Sequence, residues 1–283
     1  MCSAVASLKR AVWTVTPLKV RSRLVLEYQD RKFHRYLKQV FGGRYGWTSP
    51  GPVPPPELVT TEALMTKDEL GFKCSPGIYF GSGYNSAMRC LQALQRCGFD
   101  FGAMQSVLEF GCGSGRIIRH FRNVRGLRLV GTDANPKPIA WCRANLRGID
   151  FHINELRPPL AFAENESFDL VYAFAVFTHI PMEWQQSWLE EIKRILRPGG
   201  YLWLTVSAAH DIARQLDAKA RAKLEREGHL TLTADDAMAS YSTQVMGDWD
   251  IIQTPEDARR SFSAVFELLD YTENALVLRK PRA

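Results

Sequence analysis

A short apolar segment followed by three alternating glycines is the feature that most limits what this chain can fold into. Residues 107–116 read V-L-E-F-G-C-G-S-G-R, with a carboxylate at Glu109 ahead of Gly111, Gly113 and Gly115. Glycines let backbone N–H groups approach a bound ligand at points where a Cβ would collide. We therefore predict a strand that turns tightly into a helix around a cofactor.

The spacing of the glycines favours some cofactors over others. A dinucleotide fingerprint, G-x-G-x-x-G, requires its third glycine at position 116, where this chain has Arg116. Nicotinamide and flavin dinucleotides are therefore disfavoured.

An acidic residue follows the next predicted strand. Residues 127–131 form an apolar strand pattern, and Asp133 comes after it, 24 positions beyond Glu109. A carboxylate in this place can accept hydrogen bonds from both hydroxyls of a ribose. Asp133 could instead cap the helix that follows, and the residues alone leave that alternative open.

Four successive segments give the chain a resemblance to a known family. They lie between about Val107 and Val206 and read VLEFGCGSGR, VGTDANP, FDLVYAFAVFTHIP and EIKRILRPGG. As an ordered set they resemble the class I S-adenosylmethionine-dependent methyltransferases. The resemblance implies an α/β, Rossmann-like fold with a seven-stranded, mainly parallel sheet, helices on both faces and S-adenosyl-L-methionine as the cofactor. We also expect a helical extension at the amino terminus.

The resemblance further implies which residues contact the cofactor. The glycine turn would face its methionine part, Glu109 its amino group and Asp133 its ribose. Asn154 or Glu155 would lie near the adenine, and Phe174 or Ala175 would end the fourth strand beside the cofactor. The full expected set is Glu109, Gly111, Cys112, Gly113, Gly115, Arg116, Asp133, Ala134, Asn154, Glu155, Phe174 and Ala175.

Alternating strand and helix patterns support a parallel sheet independently of the resemblance. The predicted strands of this part are 106–110, 127–132, 150–153, 168–174 and 201–206. Helices are predicted to start at 117, 136 and 181. Two more strands, at 262–268 and 275–278, are expected as an antiparallel hairpin at the sheet edge, and 208–236 as a polar, helical insertion.

Three regions are predicted along the 283 residues of the chain. Residues 1–56 form a basic helical arm that ends in a stiff spacer, S-P-G-P-V-P-P-P. Residues 57–104 form a helical cover, and 105–283 form the methyltransferase domain with an insertion at about 208–260.

The assignment of a cover rests on the family resemblance. Helical patterns occur at 57–70 and 86–97, with glycine- and proline-containing turns between them. Tyr79, Gly83 or Tyr84 would then contribute to a lid over the cofactor.

Positive charge is concentrated near the amino terminus. Residues 1–50 hold ten Lys or Arg and two acids, a net charge of +8, whereas the remainder has 26 basic and 28 acidic residues, a net charge of −2. Much of this charge lies on a predicted amphipathic helix over 21–41. Such a helix could bind an anionic membrane surface or nucleic acid, but we expect it to pack on its own domain.

Neither a membrane span nor a disulfide framework is predicted. We find no run of roughly 18 apolar residues, and the amino terminus lacks the apolar core of a secretory signal, so we expect a cytoplasmic location. The six cysteines form no C-x-x-C pair and have no histidine at zinc spacing. Free thiols and no metal site are therefore expected.

His179 is the best candidate for a catalytic base. It follows the fourth predicted strand, and open α/β sheets bind ligands at that carboxyl edge. Imidazole titrates near neutrality and can accept a proton from a hydroxyl or an amine. Alternatively, His179 only orders its loop. Weaker candidates for the acceptor pocket are Glu183, Trp184, His210 and Tyr241.

The end of the fourth strand limits the methyl acceptor. Residues 173–176 read A-F-A-V, without the Asp/Asn-Pro-Pro-aromatic segment that accompanies methylation of exocyclic base amines in related enzymes, and no Pro-Cys nucleophile is present. We expect a small-molecule, sugar or lipid-linked acceptor, methylated at oxygen or nitrogen. RNA or protein methylation, or cofactor binding without catalysis, are the alternatives. The sequence predicts no oligomeric state.

Overall fold

The computed structural model of the chain describes the backbone of residues 18–59, 67–68, 71–72, 76–208, 216–232 and 250–282, and the side chains of 30–59, 79–207, 216–232 and 250–282. The α-helices within these residues are α1 (Leu18–Phe41), α2 (Pro76–Arg96), α3 (Pro136–Asn145), α4 (Met182–Ile195), α5 (Ala218–Glu227) and α6 (Pro255–Ser263). The strands within them are β1 (Lys67–Asp68), β2 (Gly71–Phe72), β3 (Ser106–Phe110), β4 (Arg128–Asp133), β5 (Asp150–Ile153), β6 (Phe168–Ala173), β7 (Leu196–Thr205), β8 (Ser207–Ala208), β9 (His229–Leu232), β10 (Asp250–Gln253), β11 (Glu267–Thr272) and β12 (Ala275–Arg279).

Seven strands form one sheet in the order β11-β12-β7-β6-β3-β4-β5. The five strands from β7 to β5 run parallel to one another. β12 is antiparallel to β7, and β11 is antiparallel to β12. This architecture confirms the predicted Rossmann-like α/β fold, including the antiparallel hairpin at one edge.

The strand order reverses beside β3. From β3 the chain proceeds outward through β4 and β5 on one side, then returns to place β6 on the other side of β3. Helices that follow adjacent strands at such a switch point depart to opposite faces and leave a crevice at the carboxyl ends of the strands. The crevice therefore lies beside the glycine turn that follows β3.

Both faces of the sheet are buried, so its central strands are apolar on both sides. One core includes Leu37 of α1 and Leu91 of α2 together with Val107 of β3. On the opposite face, Ile192 of α4 and Phe262 of α6 pack against the sheet. Each helix layer thus covers one face and leaves the carboxyl edge of the strands accessible.

The basic helix α1 packs on its own domain. Phe33, Leu37 and Phe41 are buried in the first core, and the Tyr36 hydroxyl donates to Gln95 Oε1 of α2 at 2.9 Å. Its exposed face carries Arg31, Lys32, Arg35 and Lys38. The prediction that this helix contacts its own domain is confirmed for its described side chains.

Helix α2 begins ten residues earlier than the helical pattern at 86–97 indicated. Proline is favoured in the first turn of a helix, and α2 starts at Pro76. Gly83 was predicted to lie in a turn but is inside the helix. At this point α2 packs closely on the chain just after the glycine turn, and a Cβ at Gly83 would lie 2.4 Å from the Arg116 carbonyl oxygen. Tight packing here outweighs the weak helix propensity of glycine.

Three other predicted elements differ from the structure. The helix at 57–70 was wrong at its described residues, because Pro56–Leu58 is a 3₁₀ helix and β1 pairs with β2 as a short hairpin. The α-helix predicted from 117 is a 3₁₀ helix, Ile118–Asn123. The strand at 262–268 is wrong at its start: α6 extends to Ser263 and β11 begins only at Glu267.

Local signals explain α6. Thr254 caps it by accepting from the Asp257 backbone N–H, Pro255 occupies the first turn, and Glu256 and Asp257 add acidic charge there. These signals were present in the sequence.

The predicted insertion contains a small sheet as well as a helix. β10 pairs in parallel with β8 and antiparallel with β9, and α5 precedes β9. The description of 208–236 as simply helical was therefore incomplete. Across all of the described residues, no helix combines the length and apolar character needed to cross a membrane.

The contact at Gly83 can be tested with a matched pair of glycines. We expect Gly83→Ala to lower the free energy of unfolding by about 1–3 kcal/mol, because the new Cβ meets a backbone carbonyl that cannot rotate away. Gly43→Ala is the control, since its Cβ would meet no atom within 4 Å. Urea denaturation measures both variants. Equal stability of the two would show that α2 does not pack this closely.

Candidate cofactor site at the carboxyl edge of the sheet

The turn after β3 has the backbone conformation that its glycines predict. Gly111, Gly113 and Gly115 have φ values of +75°, +49° and +70°, a region that residues with a Cβ rarely adopt. The Gly111 and Cys112 amides donate to the Thr132 carbonyl oxygen at 2.8 and 2.9 Å. The turn is therefore fastened to the end of β4.

Packing within the protein also requires two of these glycines. A Cβ at Gly111 would lie 2.3 Å from Val176 Cγ2, and one at Gly115 would lie 2.8 Å from Leu146 Cδ1. The sequence argument assigned the glycines to the approach of a ligand. At these two positions the protein's own side chains already exclude a Cβ.

Asp133 ends β4 beside this turn and joins it directly. One carboxylate oxygen, Oδ2, accepts from the Gly113 amide at 2.7 Å, and Oδ1 accepts from the Asn135 amide at 2.9 Å. The helix cap is Asn135, whose side chain accepts from the Lys137 amide. The alternative in which Asp133 caps α3 is therefore excluded. Burial raises the pKa of Asp133, and the two amides oppose that shift.

Glu109 lies in β3, two residues before the first glycine of the turn, and is almost completely buried, with 2% of its surface exposed. Its Oε2 accepts from the Ile118 amide at 2.9 Å. Burial raises the pKa of Glu109 from 4.5 to about 8, although the nearby Arg116 guanidinium opposes the shift. A buried carboxyl with this pKa is largely protonated at neutral pH. A cation bound beside it would favour the carboxylate and lower its pKa.

Arg119 is a residue of this site that sequence reasoning missed. It is fully buried and donates to the carbonyl oxygens of Gly115 and Ser114 in the turn, at 2.8 and 2.9 Å. The same guanidinium donates to the Pro52 carbonyl at 2.7 Å and the Tyr79 hydroxyl at 3.0 Å. One cation thus joins the glycine turn to the Pro-rich spacer and to α2.

The proposed lid residues pack against the turn from α2. Tyr79 is completely buried, and its hydroxyl contacts the Ser114 hydroxyl at 3.0 Å. The Tyr84 ring lies 4.2 Å from the ring of His120, centroid to centroid, and Gly83 contacts the same stretch of chain. These residues support the turn from within the core.

The expected adenine side of the site lies after β5. The Asn154 side-chain oxygen accepts from the Thr132 hydroxyl at 2.8 Å, and the Asn154 backbone amide donates to the Asp133 carbonyl oxygen. Glu155 and Ala134 are exposed. Ile153 and Leu156 are also exposed, by 47% and 60%, although both are large and apolar. Sequence reasoning missed this apolar pair, whose signal is a hydrophobic residue on either side of a polar segment after a strand.

Phe174 and Ala175 border the turn from β6. The Arg116 guanidinium lies 5.2 Å from the centre of the Phe174 ring and donates to the Ser86 hydroxyl. Ala175 has a φ of +54°, and its amide donates to the Thr205 hydroxyl at 2.8 Å. A left-handed alanine stores backbone strain, and such strain is concentrated at functional sites.

Two thiols near the turn, those of Cys112 and Cys142, are free and buried. Cys112 and Cys142 each place Sγ within 3.7 Å of the Gly113 carbonyl oxygen. Burial raises the pKa of both thiols. Among the residues that the structure describes, no group of histidine, cysteine and acidic side chains could hold a metal ion.

His179 has a carboxylate partner that the sequence did not indicate. It ends a 3₁₀ helix, Phe177–His179, and its Nδ1 lies 3.3 Å from Oδ1 of Asp250, the first residue of β10. The His179 side chain is 39% exposed and that of Asp250 is 13% exposed. No motif marks Asp250, because it lies 71 positions after His179 along the chain.

The weaker acceptor candidates are dispersed. Glu183 is exposed in the first turn of α4. The Trp184 ring has the Arg157 guanidinium 4.2 Å from its centre and packs partly against the second core. His210 and Tyr241 lie outside the described residues.

Comparison with known proteins places the same region in one family. Residues 108–204 match the family model described as a methyltransferase domain. A probable phthiotriol/phenolphthiotriol dimycocerosates methyltransferase of Mycobacterium ulcerans is 34% identical over 136 residues, which are 46% of this chain and 50% of that protein. A ribosomal protein L11 methyltransferase of Caldicellulosiruptor saccharolyticus is 30% identical over 112 residues, 38% of this chain and 35% of that protein.

The chain thus spans half or less of the length of these two curated relatives. A crystal structure of a protein from Pyrococcus horikoshii OT3 is 15% identical with a TM-score of 0.50, covering 70% of this chain and 91% of that chain, and shows a shared fold. The strand order, the glycine turn and the family match agree. Residues 108–204 of this chain are a methyltransferase domain of the class I, S-adenosylmethionine-dependent family.

Proposed function

We propose that the chain transfers a methyl group from S-adenosylmethionine to an oxygen or nitrogen of a small-molecule, sugar or lipid-linked acceptor. The observation that carries the proposal is the hydrogen bond from the Gly113 amide to Asp133, in the turn that follows the buried Glu109. Two carboxyls and a positive-φ turn thereby meet at the carboxyl edge of β3 and β4. That edge is where open α/β sheets bind their ligands.

The residues present suit a sulfonium nucleoside with an amino-acid tail. Asp133 would accept from the ribose hydroxyls, and Glu109 would neutralise the ammonium group of the tail. Exposed Ile153 and Leu156 would cover the faces of the adenine, with Asn154, Glu155 and Ala134 around them. Cys112, Arg116, Phe174 and Ala175 would complete the wall of the site.

When bound, this cofactor supplies a methyl group already activated by its positive sulfur. The protein must then hold the acceptor in line with the methyl group and remove a proton where the acceptor carries one. Positioning alone can lower the barrier by about 7–11 kcal/mol. Few residues therefore need to take part in the chemistry.

His179 is the proposed base. Its Nδ1 faces Asp250, so Nε2 is the ring nitrogen that would take the proton of an acceptor O–H or N–H. The carboxylate would hold the ring in one orientation and stabilise the imidazolium that forms, as in other histidine–carboxylate pairs.

The name of one relative supports a small-molecule or lipid-linked acceptor, and the name of another favours a protein acceptor. The Mycobacterium ulcerans protein is named for lipid acceptors and the Caldicellulosiruptor saccharolyticus protein for a ribosomal protein. Helix α1 has its apolar side in the core, which leaves its basic side as the feature that favours an RNA or protein acceptor. Transfer of a labelled methyl group into a cell extract separates these classes: label in extractable small molecules supports the proposal, and label in RNA or protein contradicts it.

Glu109 provides a test of cofactor binding. In the unbound protein its pKa is about 8, and a bound ammonium group favours the carboxylate. Binding therefore releases a proton below that pH and strengthens as the pH rises. Calorimetry should show a fall in Kd for S-adenosylmethionine of about tenfold or more between pH 6 and pH 8. Glu109→Gln should bind weakly at both values, and an unchanged pH dependence in this variant would contradict the role of Glu109.

The same variant should also change how the stability of the protein depends on pH. Because the pKa of Glu109 is higher in the folded than in the unfolded state, its contribution to stability is fully present below about pH 4.5 and is lost as the pH rises through about 8. Glutamine is neutral throughout, so the advantage of Glu109→Gln over the wild type should grow by at least about 1 kcal/mol between pH 5 and pH 8.5. Urea titrations at both pH values measure this difference. Glu190→Gln, on the exposed side of α4, should show no such growth.

The role of His179 is tested once a labelled product is identified. His179→Ala should lower kcat by about 10²–10⁴-fold, the usual range for loss of a general base, with the KM for S-adenosylmethionine nearly unchanged. Asp250→Asn should lower kcat less and alter its dependence on pH. Asp270→Asn, which breaks a distant ion pair with Arg96, is the charge-matched control. Full turnover by His179→Ala would remove this residue from the mechanism.

A further inference from the structure

A second concave surface lies at the opposite edge of the sheet. It is a cavity of about 470 Å³ whose lining includes Ser106, Arg128 and Arg197, which are at or next to the first residues of β3, β4 and β7. Because these strands are parallel, their amino ends meet at one edge and their carboxyl ends at the other. The cavity is therefore separate from the crevice beside Asp133.

The lining of this cavity carries excess positive charge. Arg44, Arg128 and Arg197 contribute side chains, whereas no acidic residue belongs to the lining. Two carboxylates contact residues of the lining: Asp169 accepts from Arg197 at 2.6 Å and from the Ser106 hydroxyl at 2.9 Å, and Asp100 accepts from the Gly102 amide at 2.9 Å. The three arginines therefore exceed the acids in contact with the lining by one charge.

Arg44 is held in place by the backbone. Its Nε donates to the Arg125 carbonyl oxygen, and its Nη1 donates to the carbonyl oxygens of Phe101 and Gly102, at 3.1–3.3 Å. Its Nη2 has no acceptor within the described part of the chain. The guanidinium is therefore oriented in advance and retains donors for a ligand.

Of the three arginines in the lining, Arg128 has a guanidinium that contacts an aromatic ring and no described polar group. It is exposed, and its guanidinium lies 4.9 Å from the centre of the Phe168 ring. Its backbone amide donates to the Gln105 carbonyl oxygen, but its guanidinium forms neither a hydrogen bond nor an ion pair with any residue that the structure describes. Stacking on an aromatic ring fixes the plane of a guanidinium and leaves its N–H edges available.

We propose that this cavity binds a small, phosphate-bearing molecule. Arginine presents a planar set of donors that matches two oxygens of a phosphate, and a site with several arginines binds phosphate groups preferentially. The volume is within the range of small-molecule sites. The remaining lining, which includes Ser106, Ser167 and glycines, is polar and small, which does not suit an apolar ligand. The proposal is independent of the methyl-transfer reaction at the other edge.

The test uses inorganic pyrophosphate as the probe and the full chain as the protein. Titration at about 0.15 M salt, where interactions between distant surface charges are screened, should show saturable binding in the low-millimolar range or tighter. Arg128→Gln should weaken binding at least tenfold, because it removes a cavity donor that no described residue requires. Arg35→Gln removes the same charge from the exposed side of α1 and should leave Kd within about twofold.

Two outcomes would overturn the proposal. One is the absence of saturable binding, and the other is an equal loss in Arg128→Gln and Arg35→Gln, which would indicate a general effect of net charge. A short RNA oligonucleotide is the second probe. If it binds in an Arg128-dependent manner and pyrophosphate does not displace it, the site serves a polynucleotide and the small-molecule assignment is wrong. Unchanged S-adenosylmethionine binding by Arg128→Gln shows that the variant is folded and that the two sites are separate.

Discussion

The candidate cofactor site depends on the way in which the turn after β3 is attached to the end of β4. Three of its backbone amides, those of Gly111, Cys112 and Gly113, donate to Thr132 and Asp133. These bonds orient the Asp133 carboxylate and the turn as one unit. A ligand that uses both therefore meets a site whose parts are already in place, which lowers the entropic cost of binding.

A buried cation supports this unit from below. Arg119 has its guanidinium surrounded by carbonyl and hydroxyl oxygens of the turn, the spacer and α2. Taking a charge out of water is costly unless its donors are satisfied. The turn, the spacer and α2 each supply an acceptor that offsets this cost. The Pro-rich spacer thus helps to hold the glycine turn through its carbonyl groups.

The insertion after β7 contributes to the site in a similar, indirect way. Buried Asp257 accepts from Gln253 at the end of β10 and from Arg260 in α6, and the Thr254 amide donates to the carbonyl of Gly228 after α5. These contacts fasten the end of β10, which lies between β8 and β9 in its sheet, to α6 and to the residue after α5. The other end of β10 carries Asp250, which reaches His179. The insertion therefore supplies a carboxylate partner to a residue in the segment that follows β6.

Much of the site could be predicted from the sequence because its signals are local. The positive φ values at Gly111, Gly113 and Gly115, the strand before them and the carboxylate at Asp133 follow from residue types at fixed spacing. The parallel sheet follows from the alternation of patterns. Local competition was harder to judge: at 262–268 an apolar run suggested a strand, although the cap at Thr254 belonged to a helix that continues to Ser263.

Contacts between distant segments were decided only in the tertiary structure. Nothing near His179 in the sequence indicates Asp250, and nothing near Arg119 indicates Pro52 or Tyr79, because these pairs come together only when helices and strands pack. The same holds for the arginines at the amino edge, which come from three separate segments. The sequence by itself determined the sheet, the glycine turn and its acidic partners, since backbone conformation and hydrophobic periodicity are local properties. The tertiary structure decided the partners of the buried and charged side chains, since burial and electrostatic pairing depend on which surfaces meet.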